Sequence, residues 1–149
     1  MPYFLSLIVL LLFSSNALAD SSTKECFKQL GNNPHYQYLA SKIVLGPDAV
    51  APIATMLEIK DKPTKEEQIL LLEWDQQRNR CIGLGANLRK KYSKELSHAM
   101  DEGFNMQEKL FIELAIGNLT YGEYAKLRFA IKTRTMATVK QFKERMNFF

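Results

Sequence analysis

The residues with the most chemical capacity are crowded into one stretch, Glu73-Trp74-Asp75-Gln76-Gln77-Arg78-Asn79-Arg80. A carboxylate beside an indole can serve as acid or base next to an aromatic wall, as glycan-cleaving enzymes arrange. Glu73 and Asp75 stand two residues apart, however, so on a helix they point away from each other and make a poor catalytic pair. The same residues at i,i+3 and i,i+4 spacing form ordinary helix-face ion pairs and hydrogen bonds, and the spacing favours that plainer reading. Arg78 flanks an apolar stripe. A partly buried guanidinium there needs Glu58, Asp75 or helix C-terminal carbonyls as partners.

Other chemistry is sparse. His35 and His98 are the only histidines and lie far apart, with no second ligand at metal-binding spacing, so no metal is expected. There is no G-x-S-x-G nucleophile and no glycine-rich phosphate loop; Gly83-Leu84-Gly85 is too short for either kind. No catalytic residue and no cofactor follow from these patterns.

Cys26 and Cys81 are the two cysteines, and their reading depends on the N-terminus. Leu5 to Phe13 is almost entirely apolar, Ser14 to Asn16 is polar, and Ala17-Leu18-Ala19 is a small-x-small cleavage site before Asp20. The apolar run falls short of the roughly 20 residues that span a bilayer, which argues against an uncleaved anchor. Cys26 follows Ser22-Thr23-Lys24-Glu25, which is no lipidation signal. The sequence thus predicts a cleaved signal peptide at 1–19, no integral membrane span after cleavage, and one domain at 20–149, periplasmic or secreted. In an oxidising compartment the simplest fate of two cysteines is a Cys26–Cys81 disulfide. A redox-active pair would need the close C-x-x-C spacing that is missing here.

The elements that hold these residues read as helices throughout. Thr64 and Glu67 form a T-x-x-E capping box, with Pro63 blocking helix before it. Beyond it Leu70, Trp74, Gln77, Cys81, Leu84 and Leu88 recur at three- and four-residue steps, widened by Leu71 and Ile82, and predict a central core helix. It should fray or break between Gly83 and Tyr92, where the glycines could also admit a neighbouring helix. Upstream, Thr23 can cap a short helix that carries Cys26, Phe27 and Leu30 and stops at Gly31. Asn33-Pro34 starts a second helix that ends at Gly46-Pro47. Asp48 to Pro63 fits a partly helical connector.

Downstream, Ser93 can start a segment with Leu96, Met100 and Phe104 inward, ended by Gly103. Asn105 with Glu108 looks like a fresh cap, and Gly117 stops the helix that follows. Gly117-Asn118-Leu119-Thr120 is a tight turn, and Thr120 with Glu123 makes a second capping box. So short a link favours an antiparallel hairpin. Asn118-Leu119-Thr120 is also an N-x-T sequon, here more simply turn chemistry. The last helix carries Tyr121, Tyr124, Leu127, Ile131, Thr135, Val139, Phe142 and Met146 on one stripe. The fold predicted is a small all-α single-domain bundle of about five helices, with one disulfide and a C-terminal antiparallel helical hairpin.

Charge is uneven along this frame. The net +4 comes from a balanced N-terminal third, +2 over 64–92, −3 over 93–119 and +5 over 120–149. The acidic and basic arms of the hairpin could simply neutralise each other. Alternatively Lys126, Arg128, Lys132, Arg134, Lys140, Lys143 and Arg145 offer a basic face, with Lys132, Arg134, Lys140 and Lys143 as its possible binding surface. An exported protein without a base-reading motif points away from nucleic acid and toward an envelope protein or an anionic surface. The function expected is non-catalytic binding or scaffolding in the cell envelope. A hydrolase of cell-wall glycan or lipid using a lone helix carboxylate, Glu73 or Glu108, is the second reading. A carrier of a small apolar ligand is the third. Phe148-Phe149 has no place in the last stripe and could reach a partner.

Overall fold

The computed structural model describes residues 22–45 and 54–146. The signal peptide expected at 1–19, the expected Gly46-Pro47 stop, the first part of the 48–63 connector and Phe148-Phe149 lie outside that range. Every element among the described residues is helical: α1 (22–31), a 3-10 segment Pro34–Ser41, α2 (Ala54–Leu57), α3 (Lys65–Leu84), α4 (Ala86–Arg89), α5 (Lys94–Ala115) and α6 (Tyr121–Met146). Thr23 lies inside α1 rather than at its cap. Asn33 caps the 3-10 segment as expected, its side chain accepting the His35 N–H at 3.0 Å with Pro34 in the first position, but the segment ends at Ser41, short of the expected stop at Gly46-Pro47. No described helix is long and apolar enough to cross a membrane.

α3 begins at the predicted box. The Thr64 hydroxyl accepts the Glu67 N–H at 3.2 Å, and the Glu67 carboxylate accepts the Thr64 N–H at 2.9 Å. Its buried side is Glu67, Leu71, Trp74, Arg78 and Cys81, while Gln77 and Leu84 face solvent. The helix is therefore rotated from the expected stripe by a fraction of a turn. Glu67-Leu71-Trp74-Arg78-Cys81 is an equally regular stripe, and its two charged members can be buried because each meets an opposite charge. Cys81 bonds Cys26, which ties α1 to the last turns of α3. The chain breaks at Gly85 as expected; Gly83 has open space around it, whereas a Cβ at Gly85 would stand 3.5 Å from the Thr23 hydroxyl of α1.

Ser93 starts α5, its hydroxyl accepting the Leu96 N–H at 3.2 Å. Gly103 does not end the helix and Asn105 caps nothing; α5 runs unbroken to Ala115. Gly103 is instead a tight packing position of α5 against α6. A Cβ there would sit 2.5 Å from the Thr135 methyl.

The turn after α5 follows the predicted chemistry. Gly117 takes φ of 81°, a left-handed position that suits glycine. The Thr120 hydroxyl accepts the Glu123 N–H at 3.1 Å and the Glu123 carboxylate accepts the Thr120 N–H at 2.8 Å. α6 then returns antiparallel along α5. At its start Gly122 lies against the backbone carbonyls of Leu57 and Ile59, donating its N–H to Ile59 at 3.0 Å, so α2 packs on the first turns of α6. Tyr121, Tyr124, Ala125 and Val139 are buried, but Leu127 and Met146 from the expected stripe are exposed. Trp74, Phe111 and Tyr124 join α3, α5 and α6 through ring contacts of 5.3 and 5.9 Å.

Candidate functional site

Three polar regions and one helix flank hold the chemistry of the described residues. The first joins three helix ends. Lys42, at the end of the 3-10 segment, pairs with the Glu67 carboxylate at the start of α3. Its ammonium also stands 5.0 Å from the ring centres of Tyr38 and Tyr121. Burial opposes charge on Glu67 and Lys42 alike. The hydrogen bond between them nonetheless wins, lowering the Glu67 pKa and raising that of Lys42. The Tyr121 hydroxyl is buried near Glu67 but in no hydrogen bond of normal geometry; burial and the carboxylate push its pKa up.

The second region runs between α3 and α5. Arg78, 8% exposed, donates to Asp75 at 3.1 Å and to Gln107 at 3.5 Å. Asn79 donates from one amide nitrogen to Asp75 at 3.2 Å and to Glu108 at 3.4 Å. Burial raises the Asp75 pKa, Arg78 opposes, and Glu108 adds to the rise. Glu58 takes no part in this network. Glu108 also lines a cleft of about 370 Å³ with Asn79, Arg89, Asp101 and Phe104. Glu73, the other carboxylate considered for catalysis, is apart from all of this, half-exposed and 2.9 Å from His35. Among the described residues no three His, Cys, Asp or Glu converge to hold a metal ion.

The third region is an open groove of about 910 Å³ between α1 and α3, with both cysteines in its wall beside Glu25, Gln29, Gln77 and Arg80.

The flank is on α6, where successive residues turn by about 100°. Lys132, Lys140 and Lys143 fall within an arc of about 80°, next to the buried side. Arg134 is about 160° from Lys132, across the helix, beside Glu102 and Thr138. The four residues singled out from sequence thus divide into three lysines on one side and an arginine on the other. Lys132 is half-buried at the edge of the arc; Lys140 and Lys143 are exposed, with Glu144 3.8 Å from Lys140. Arg128 is drawn inward against Tyr124. Burial lowers its pKa, Tyr124 opposes, and Arg78 nearby lowers it further. Arg145 lies over the Phe142 ring at 5.8 Å.

Phe129 and Met136 share the lysine arc and are 42% and 56% exposed. Reading the last helix by its buried stripe alone passes over both. Their seven-residue separation, off that stripe, was the signal that could have found them. No family model, curated protein or solved structure matches the chain.

Proposed function

We propose that this chain is an exported, non-catalytic protein of the cell envelope that binds an anionic component through the lysine side of α6. The observation that carries the reading is where three of the five carboxylates of the acidic arm send their charge. On α5, Asp101 pairs with Arg89 at 3.5 Å, Glu108 meets Asn79 and Glu113 meets Asn118 at 2.7 Å. These carboxylates are committed to α3, α4 and the turn rather than to Lys140 and Lys143. Export is supported by the leader-like N-terminus and by the disulfide, a bond that persists in oxidising compartments.

Binding to envelope fractions should weaken steeply as salt rises, because exposed charge is screened over about 10 Å at 0.1 M and about 3 Å at 1 M. Lys132→Glu, Lys140→Glu and Lys143→Glu combined should leave the chain helical and abolish capture. Full capture by that triple variant, or capture indifferent to salt, would show the lysines to be solvated helix face and nothing more.

A hydrolase is the second reading, favoured by the convergence of Asp75 and Glu108 on Asn79 beside a cleft. Glu108→Gln should then abolish release of products from isolated cell-wall glycan. Equal release by variant and parent would remove Glu108 from consideration.

A further inference from the structure

The lysine arc of α6 carries more than charge. From residue 129 onward its members are Phe129, Lys132, Met136, Lys140 and Lys143, with no carboxylate among them; Glu123 and Glu144 lie outside the arc. The same side of α6 is covered one turn earlier, where Ile43, Val44 and Met56 pack around Ala125. That cover ends before Phe129, which is 42% exposed, and Met136, two turns on, is 56% exposed. We propose that the anionic component is the surface of a phospholipid bilayer, on which α6 lies lengthwise with Phe129 and Met136 in the headgroup layer and the lysines on lipid phosphates. This rests on the binding reading above and narrows it to one partner.

The alternation of side chains argues for lipid over a soluble polyanion. A hydrated polymer satisfies lysines but gives a phenylalanine and a methionine nothing to be buried in. The boundary between headgroups and acyl chains offers anionic phosphate and apolar depth a few ångströms apart, matching an arc in which both types alternate. Lysine suits that boundary, since its long apolar stem can lie beside acyl chain while the ammonium stays at phosphate level. Arg134 and Arg145 belong to the other side of the helix. α6 is about 39 Å long, so Phe129 and Met136, about 10 Å apart, can touch one flat surface together. No described helix can span the bilayer, so the contact is peripheral.

The test uses the full chain with its disulfide formed and three probes: phosphatidylcholine vesicles, vesicles mixing phosphatidylcholine with phosphatidylglycerol, and soluble polyphosphate and polyglutamate. The parent should sediment with phosphatidylglycerol vesicles and not with phosphatidylcholine alone. Phe129→Ala with Met136→Ala removes only exposed side chains and should weaken vesicle binding roughly tenfold or more. The same variant should hold whatever polyanion affinity the parent has. Lys132→Glu, Lys140→Glu and Lys143→Glu combined should abolish binding to vesicles and polyanions alike, and circular dichroism confirms that both variants remain folded. Undiminished vesicle binding by the double alanine variant overturns lipid insertion and leaves anionic binding standing. So does a parent that binds polyphosphate or polyglutamate but no vesicle. A parent that binds none of the anionic probes overturns both readings.

Discussion

Gly103 of α5 lies against Thr135 of α6 so closely that an added Cβ would stand 2.5 Å from the threonine methyl and 2.6 Å from its hydroxyl. The threonine cannot swing away freely, because its hydroxyl donates to the Ile131 carbonyl at 2.9 Å. This contact sets the spacing of the hairpin that presents the lysine arc.

Gly103→Ala in a free helix would stabilise by about 1 kcal/mol, from propensity alone. Here overpacking should reverse the sign and destabilise by about 1–3 kcal/mol. Thr135→Ala added to Gly103→Ala should recover most of that loss. Urea denaturation of the two variants reads the outcome, and a stabilised Gly103→Ala would mean the helices are further apart than described.

Cys26 and Cys81 close a loop with a sequence separation of 55. On the chain-entropy account this stabilises by about 4 kcal/mol, less whatever structure the reduced chain keeps. Replacing both cysteines by serine should lower the melting temperature far more than a surface substitution does. The oxidised chain should also lack reactive thiols. Two titratable thiols in protein recovered from an oxidising compartment would contradict the bond.

The features legible in the sequence were those with local chemistry. The boxes at Thr64–Glu67 and Thr120–Glu123, the turn at Gly117 and the all-α frame each rest on residues within a few positions of one another. Burial of Glu67 was not legible, because Lys42, the partner that permits it, comes from a distant segment; for Arg78 the local partner Asp75 was legible and the distant Gln107 was not. Without them an apolar count prefers Leu70 and Leu84, a neighbouring stripe of equal regularity. Gly103 failed for the same reason: read locally it is a helix breaker, and only Thr135 reveals it as a packing position. Among the candidate site residues, the lysines were legible as charge. The division of Lys132, Lys140 and Lys143 from Arg134 needed only the helical angle. The exposure of Phe129 needed to know where α2 and the 43–45 segment end.

The junction of Lys42 with Glu67 gives a pH dependence of known sign. The folded Glu67 pKa lies below its ordinary value, so its contribution is present above the unfolded value near 4.3 and is lost as pH falls through the folded one. Lys42 and Tyr121 are both raised, so their contributions hold below about 10 and are lost as pH climbs through the folded values. Thermal melts should therefore fall off on both limbs. Glu67→Gln should lower stability at neutral pH and blunt the further loss at low pH. A variant whose acid limb is as steep as the parent's would place that limb elsewhere.

Arg78 is the one guanidinium 8% exposed on the buried side of α3, and Asp75, Gln107 and Asn79 are arranged around it. Removing it alone leaves Asp75 in a setting that already penalises its charge, with Glu108 nearby to worsen the penalty. Arg78→Leu should thus destabilise by about 3–5 kcal/mol, the range for one partner of a buried pair. Removing the carboxylate alone leaves Arg78 beside Arg128 without a counter-ion, which is costly for the same reason. Asp75→Leu with Arg78→Leu removes both charges at once. The pair should cost clearly less than the sum of its single losses, with a coupling of about 1–3 kcal/mol in a double-mutant cycle by chemical denaturation. Strictly additive losses would show that the two side chains are stabilised by separate partners, and that Asp75 draws its support from Asn79 alone.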